Sequence, residues 1–204
     1  MNITLAITGA SGSLFAAEAL RQLESDARVT CINLIASDAS LRVLAEELSL
    51  AGRNALPERL LGHPPTKTQH LADSDIGASI ASGSYPTAAM IILPCSMGTL
   101  GSIAHGLANS LIHRAADVCL KERRPLVLCV RETPFNLIHL RNMTAVTEAG
   151  ATVYPVMPTL YNVPQSTADI ARNYVHRILA YINLPQQDAY QWHPNTAHSK
   201  PSSS

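Results

Sequence analysis

Four segments of this chain, residues 2–8, 29–36, 88–93 and 126–130, are apolar along nearly their whole length, and helical patterns separate them. A strand with one wet face alternates apolar and polar residues. A near-continuous apolar run of this length instead belongs to a strand covered on both sides. Parallel strands are covered in that way, because each needs a crossover helix and right-handed crossovers place helices on both faces. The chain is therefore restricted to the α/β class: a single-domain, doubly wound parallel sheet of Rossmann-like form. Such sheets bind ligands at the carboxyl ends of their strands. Small and polar residues gather at those ends here, at residues 9–13, Ser37, residues 95–99 and residues 131–133. Four junctions converging on one edge say more than any one of them.

Helical spacing runs through Leu14, Ala17, Leu20 and Leu23, and a second helix is expected over residues 38–48. Residues 50–85, with Pro57 and Pro64-Pro65, read as an irregular excursion rather than a domain boundary. Further helices are expected within residues 99–106 and 109–123. Thr133-Pro134 offers the capping hydroxyl and first-turn proline of a helix start, with Gly150 as its end. A strand is expected over residues 152–157, and Ser166-Thr167-Ala168-Asp169 opens a long helix reaching Asn183. The expected organisation is one domain over residues 1–185 and a polar tail over 186–204, disordered at its last serines.

Charge narrows the partners. Fifteen basic and fifteen acidic side chains cancel without a long single-sign run, which argues against nucleic acid and an anionic membrane surface. No apolar stretch approaches a membrane span, and the start of the chain lacks signal-peptide features. Cys31, Cys95, Cys119 and Cys129 show no Cys-x-x-Cys spacing and suit reduced thiols in a cytoplasmic protein. Neither the cysteines nor the eight histidines have metal-ligand spacing, so no metal site is expected. His105, His113, His139 and His176 fall on expected helices and are read as structural. Charged residues are sparse for a chain of 204 residues, which points to a homo-oligomer that buries outer surface as well as core.

Several segments carry chemistry. The turn Thr8-Gly9-Ala10-Ser11-Gly12-Ser13 joins a strand to a helix, and its amides suit an anion at the helix N-terminus. It is not a dinucleotide fingerprint, and a tight turn needs glycine in any case. Ser96, Gly98 and Thr99 suit a phosphate or the polar edge of a flavin ring, although a plain capping turn explains them equally well. Cys95 beside them has no base placed near it and is read as a wall residue. Arg114 and Lys121 are seven residues apart and share a helix face. Arg131 and Glu132 end a buried strand, where long charged side chains are costly without a ligand. Arg131 suits a charge-assisted contact to phosphate, and Glu132 suits a proton donor. Tyr161, before the rigid Pro164-Gln165-Ser166 helix entry, and Arg177 could clamp an anion.

Taken together these segments closely resemble the flavin prenyltransferases of the UbiX/Pad type. The matching stretches run in family order across nearly the whole chain: residues 8–12, Ser82-Gly83-Ser84, residues 94–99, Arg114-Ala115-Ala116-Asp117, Lys121-Glu122-Arg123-Arg124-Pro125, Arg131-Glu132-Thr133-Pro134, His139-Leu140 and residues 161–166. The resemblance implies a flavoprotein domain that joins a dimethylallyl group, from dimethylallyl monophosphate, to N5 and then C6 of reduced FMN. The product is the cofactor of a partner decarboxylase. Gly9, Ala10, Ser11, Ser37, Ser96, Met97, Gly98, Thr99 and Arg131 are then expected on FMN. Arg114, Lys121, Glu132, Tyr161 and Arg177 are expected around the prenyl phosphate, Glu47 beside Ser11 in proton movement near N5, and Trp192 as a wall of the prenyl site. Ser11, Glu47 and Glu132 are the implied catalytic groups. The family assembles as a dodecamer with sites between subunits. This chain departs from many relatives at Asn162 and Val163, and residues 78–81 hold no aromatic. Two other readings stand beside it. An FMN-dependent decarboxylase of the related flavoprotein fold needs a histidine near the first helix, and none lies between Met1 and Gly62. An FMN-carrying subunit of a decarboxylase complex would not need Lys121, Glu132 and Tyr161 together.

Overall fold

A computed structural model describes residues 1–191. Six strands form one all-parallel sheet: β1 (Asn2–Ile7), β2 (Cys31–Ala36), β3 (Thr68–Ala72), β4 (Thr87–Cys95), β5 (Leu126–Val130) and β6 (Thr152–Val153), in the order β3-β2-β1-β4-β5-β6. The chain winds outward from β1 to β3, returns to the other side of β1, and winds outward again. The switch point therefore lies between the carboxyl ends of β1 and β4, where a doubly wound sheet opens a crevice.

Among the described residues, seven α-helices cover the faces. On one side lie α1 (Ser13–Ser25), α2 (Asp38–Leu48), α3 (Leu56–Leu61) and α7 (Thr167–Tyr181), packed on Ile3, Leu5, Ile32, Leu34, Ile91 and Val127. On the other lie α4 (Met97–Ala104), α5 (Leu111–Lys121) and α6 (Leu137–Glu148), packed on Ala6, Ile35, Met90, Ile92, Leu126 and Leu128. Successive residues of β4 and β5 alternate between the two cores, as the period of a strand requires. That double burial is why these strands read as continuous apolar runs. Cys95, Cys119 and Cys129 are buried in the cores, and all four cysteines are free.

Three sequence expectations are corrected. Residues 50–85 are not irregular throughout, because they contain α3 and the edge strand β3. β3 pairs only with β2 and is half exposed, so its sequence Thr-Gln-His-Leu-Ala carries little apolar signal. Helix α6 does not start at Thr133-Pro134. Its cap is Asn136, whose side chain accepts from the His139 amide at 2.9 Å while the His139 ring accepts from the Asn136 amide. The reciprocal box satisfies two end amides at once, which a lone threonine cannot do. The strand expected over residues 152–157 is regular only over Thr152–Val153. Tyr154 and Val156 still donate to β5 carbonyls, at 2.8 and 2.9 Å, but Pro155 between them has no amide to give.

Candidate functional site

The turn after β1 is shaped by glycine. A Cβ on Gly9 would stand 2.6 Å from the Ala39 Cβ, and Gly12 has φ +129°. Beyond it, the first amides of α1 are already engaged. Glu47, on α2, accepts from the Gly12 amide at 3.1 Å and from the Ser13 amide at 2.7 Å. Burial works against ionisation of this carboxyl, but the Ser11 hydroxyl and the two amides outweigh it and hold the group below the usual glutamate range. The anion position at the start of α1 is thus filled by the protein's own carboxylate. The amides of Gly12 and Ser13 are therefore not open to a ligand anion. The amides of Gly9 and Ser11 take no protein acceptor among the described residues.

The turn after β4 differs. Ser96 caps α4, its hydroxyl accepting from the Thr99 amide at 3.3 Å and lying 3.1 Å from the Thr99 hydroxyl. No acidic residue occupies the first turn of α4, whereas Asp38 occupies that of α2. Gly98 is exposed, and a Cβ added there would meet only the Ser96 hydroxyl, 4.0 Å away. A ring or phosphate can therefore reach bare backbone amides at the positive end of a helix. Cys95 is fully buried, and burial pushes its thiol well up, so it belongs to the core and is no wall residue.

Ser37 closes one flank of this edge. Its amide donates to the Ile7 carbonyl at 3.0 Å and its hydroxyl caps α2. Arg53, in the segment read as irregular, secures that corner through the Ala36 carbonyl at 2.8 Å and Asp38 at 2.5 Å. No sequence signal marked it, because its partners lie at least fifteen residues away. Arg131 holds the other flank. Its amide donates to the Cys95 carbonyl at 3.2 Å, and its guanidinium has no carboxylate partner among the described residues. Glu132 accepts from the Thr133 amide at 2.9 Å. Both side chains are exposed in the protomer, not buried as expected from their place at the end of β5.

The α5 cations stand apart from this group. Helix α5 starts at the carboxyl edge, where Leu111 donates to the Asp73 carbonyl at 2.7 Å just past β3. It ends at the amino edge, where Arg124 donates to the Gly83 and Tyr85 carbonyls at 2.6 Å each, just before β4. Arg114 bonds the Ala81 carbonyl at 3.2 Å and Asp117 at 2.5 Å. Lys121 pairs with Glu122 against Gly83, about 10 Å further down the helix axis. One protomer brings together Gly9, Ala10, Ser11, Ser37, residues 96–99 and Arg131, with Glu132 beside them. It leaves Lys121 near the opposite end of the sheet.

Beyond β6, Arg177 lines a cleft of about 300 Å³ with Tyr154, Pro155, Met157 and Tyr174. Tyr161 is 80 % exposed. Trp192 lies outside the described residues. The loops at this end also carry an apolar belt that the residue patterns did not single out: Phe135, Leu137, Ile138 and Leu140 after β5, and Met157, Leu160 and Val163 after β6, are all exposed. Apolar residues at 135, 137, 138 and 140 cannot all face one core from a single helix, and that was the available signal. Exposed apolar area of this kind marks an interaction surface, for a protein, a ligand or a membrane.

Comparison with known proteins places these observations. Residues 1–182 match the Flavoprotein family. A flavin prenyltransferase UbiX of Salmonella typhimurium is 43% identical over 188 residues, covering 90% of this chain and 92% of that one. The solved structure of AnUbiX (PadA1) with FMN and dimethylallyl pyrophosphate superposes with TM-score 0.84 at 35% identity, covering 94% of this chain and 97% of that one. A dodecameric FMN-dependent UbiX-like decarboxylase from Escherichia coli O157:H7 superposes with TM-score 0.83 at 35% identity, covering 95% and 100%.

Proposed function

The chain belongs to the flavin prenyltransferase family of UbiX type, within the flavoproteins, and from that membership we propose that it transfers a dimethylallyl group from dimethylallyl monophosphate to reduced FMN. The observation that carries the reading is the carboxyl edge at the β1/β4 switch point. There an open helix N-terminus, a guanidinium without a carboxylate partner among the described residues and an acid stand together. Residues 1–185 form the functional unit, and the match to residues 1–182 supports that boundary.

The residues fit a flavin. Ser96, Met97, Gly98 and Thr99 offer hydroxyls and helix-end amides, Arg131 a free cation, and Gly9, Ala10, Ser11 and Ser37 the polar walls of the crevice. Reduced FMN supplies a nucleophilic N5 and, for ring closure, C6. The carbon–oxygen bond of the prenyl phosphate breaks as the N5–carbon bond forms, and the phosphate leaves with the bonding pair. Arg114, Lys121, Arg177 and Tyr161 surround that phosphate, and Glu132 gives it a proton. Fixed cations in a closed site stabilise such a leaving group without reorganising as it departs. Glu47, held ionised by the turn amides, accepts through Ser11 the proton that N5 sheds.

One protomer does not assemble these groups, because Lys121 lies toward the amino edge. We therefore read the active form as a homo-oligomer, a dodecamer as in the UbiX-like relative, whose subunits share each site. The exposed belt on α6 and the loop after β6 supplies apolar area for it. The prenylated flavin serves a partner decarboxylase. No helix among the described residues is long and apolar enough to cross a membrane. Free, buried thiols support a cytoplasmic setting. The test is anaerobic incubation with reduced FMN and dimethylallyl monophosphate, followed by the mass of the released flavin. Gain of one C5H8 unit is expected, and unmodified flavin after turnover conditions contradicts the reading.

A further inference from the structure

A single buried hydroxyl stands between the two turns that this flavin site needs. Thr8 is the first residue past β1 and is 1% exposed. Its amide donates to the Pro94 carbonyl at 3.2 Å, which carries the parallel β1–β4 ladder past its last paired residues. In a parallel ladder, the residue two further along the partner strand then donates back to the same residue's carbonyl. Here that residue is Ser96, but the Thr8 carbonyl is engaged, accepting from the Ala10 amide at 2.8 Å as the chain turns away. The Ser96 amide goes instead to the Thr8 hydroxyl at 2.8 Å. That hydroxyl donates its own proton to the Pro94 carbonyl at 2.8 Å. One side chain completes the rung that the backbone gives up, with its donor and an acceptor lone pair both used.

The rung joins two functional pieces. On one side is the turn of Gly9, Ala10 and Ser11. On the other is Ser96, the cap residue that aims the first amides of α4. We propose that Thr8 is a positioning residue whose hydroxyl sets the spacing between these two turns and thereby the affinity for flavin. It is buried beneath the crevice and touches no ligand itself. The proposal rests on assigning both turns to FMN. Valine at this position would occupy the same volume but leave the Ser96 amide without an acceptor, and serine would keep the rung.

The experiment titrates FMN against the wild-type protein, Thr8→Val and Thr8→Ser, following quenching of flavin fluorescence. Thr8→Val is expected to weaken FMN about tenfold, the scale of one lost buried hydrogen bond. Thr8→Ser is expected to restore wild-type affinity. The KM for dimethylallyl monophosphate at saturating FMN stays unchanged, which general loosening of the fold would not allow. Wild-type affinity in Thr8→Val, or equal weakening in Thr8→Ser, overturns the proposal. Should Thr8→Val fail to fold, Thr8→Cys replaces it. Its weakly bonding thiol fills the same space, and wild-type affinity there overturns the proposal as well. If the wild-type protein binds no FMN, the flavin assignment fails and takes the proposal with it. If it binds FMN and the variants match it, the proposal alone fails.

Discussion

The carboxylate of Glu47 accepts a 2.7 Å hydrogen bond from the backbone amide of Ser13, thirty-four residues earlier in the chain. The contact ties α2 to the first turn of α1 and places a negative charge at the positive end of that helix. It also explains why the glycine turn cannot take a second anion at the same point, whereas the first turn of α4 holds no such carboxylate.

Glu47→Gln tests this arrangement. The folded carboxyl titrates below the usual glutamate range, so its stabilisation is present above the unfolded value and is lost as pH falls through the folded one. At neutral pH the variant should lose about 0.5–1 kcal/mol, a modest amount because the side chain is solvent-accessible. Urea unfolding at pH 7 and in acid checks it. A difference that persists undiminished below the glutamate range contradicts the charge argument.

Glu24 makes a sharper case at a site remote from the crevice. It is 6% exposed and accepts from the Thr66 and Lys67 amides and the Thr66 and Thr68 hydroxyls. Burial opposes its ionisation, yet these donors prevail and bring its pKa from 4.5 to about 2. The anchor of β3 to α1 is therefore at full strength above about 4.5 and lost as pH falls through about 2. Glu24→Gln is expected to cost about 2–3 kcal/mol at neutral pH, with the gap to wild type closing through that window. Unfolding midpoints against pH measure it.

The separation of Lys121, at the amino edge where α5 ends, from Arg131, at the carboxyl edge past β5, predicts complementation. Lys121→Ala and Arg131→Ala should each be inactive alone. Unfolded and refolded together, they should form mixed oligomers in which some sites hold one intact residue from each subunit, and part of the activity should return. A site confined to one protomer predicts no recovery.

The apolar belt predicts an assembly defect. Ile138 is 64% exposed in the protomer, so Ile138→Lys should leave the monomer fold intact while lowering the mass seen by light scattering. Unchanged mass would place the subunit contact elsewhere.

Strand β5 and helix α2 were legible in the sequence to the residue, because an unbroken apolar run and a helical stretch directly after a strand end are local signals. The Ser166 cap of α7 was legible because Ser166 and Asp169 are spaced as a capping box, which is also a local signal. Strand β3 was not, since an edge strand with one partner needs little apolar character. The site divides along the same line. Residues 96–99 and Arg131 announce themselves at strand ends. The engagement of Glu47 by Gly12 and Ser13 depends on how α2 packs against α1, and no local pattern encodes it. The shared face of Arg114 and Lys121 follows from their spacing, but which end of the sheet each reaches follows only from the direction of α5.

The most direct measurement combines reduced FMN, dimethylallyl monophosphate and the purified protein in the presence of a chelator, with flavin mass and released phosphate read together. Flavin heavier by one C5H8 unit, one phosphate released per flavin modified, and a much slower conversion by Glu132→Gln despite retained FMN are the expected results. Unmodified flavin from the wild-type protein, or phosphate released without prenylated product, would contradict the proposed transfer.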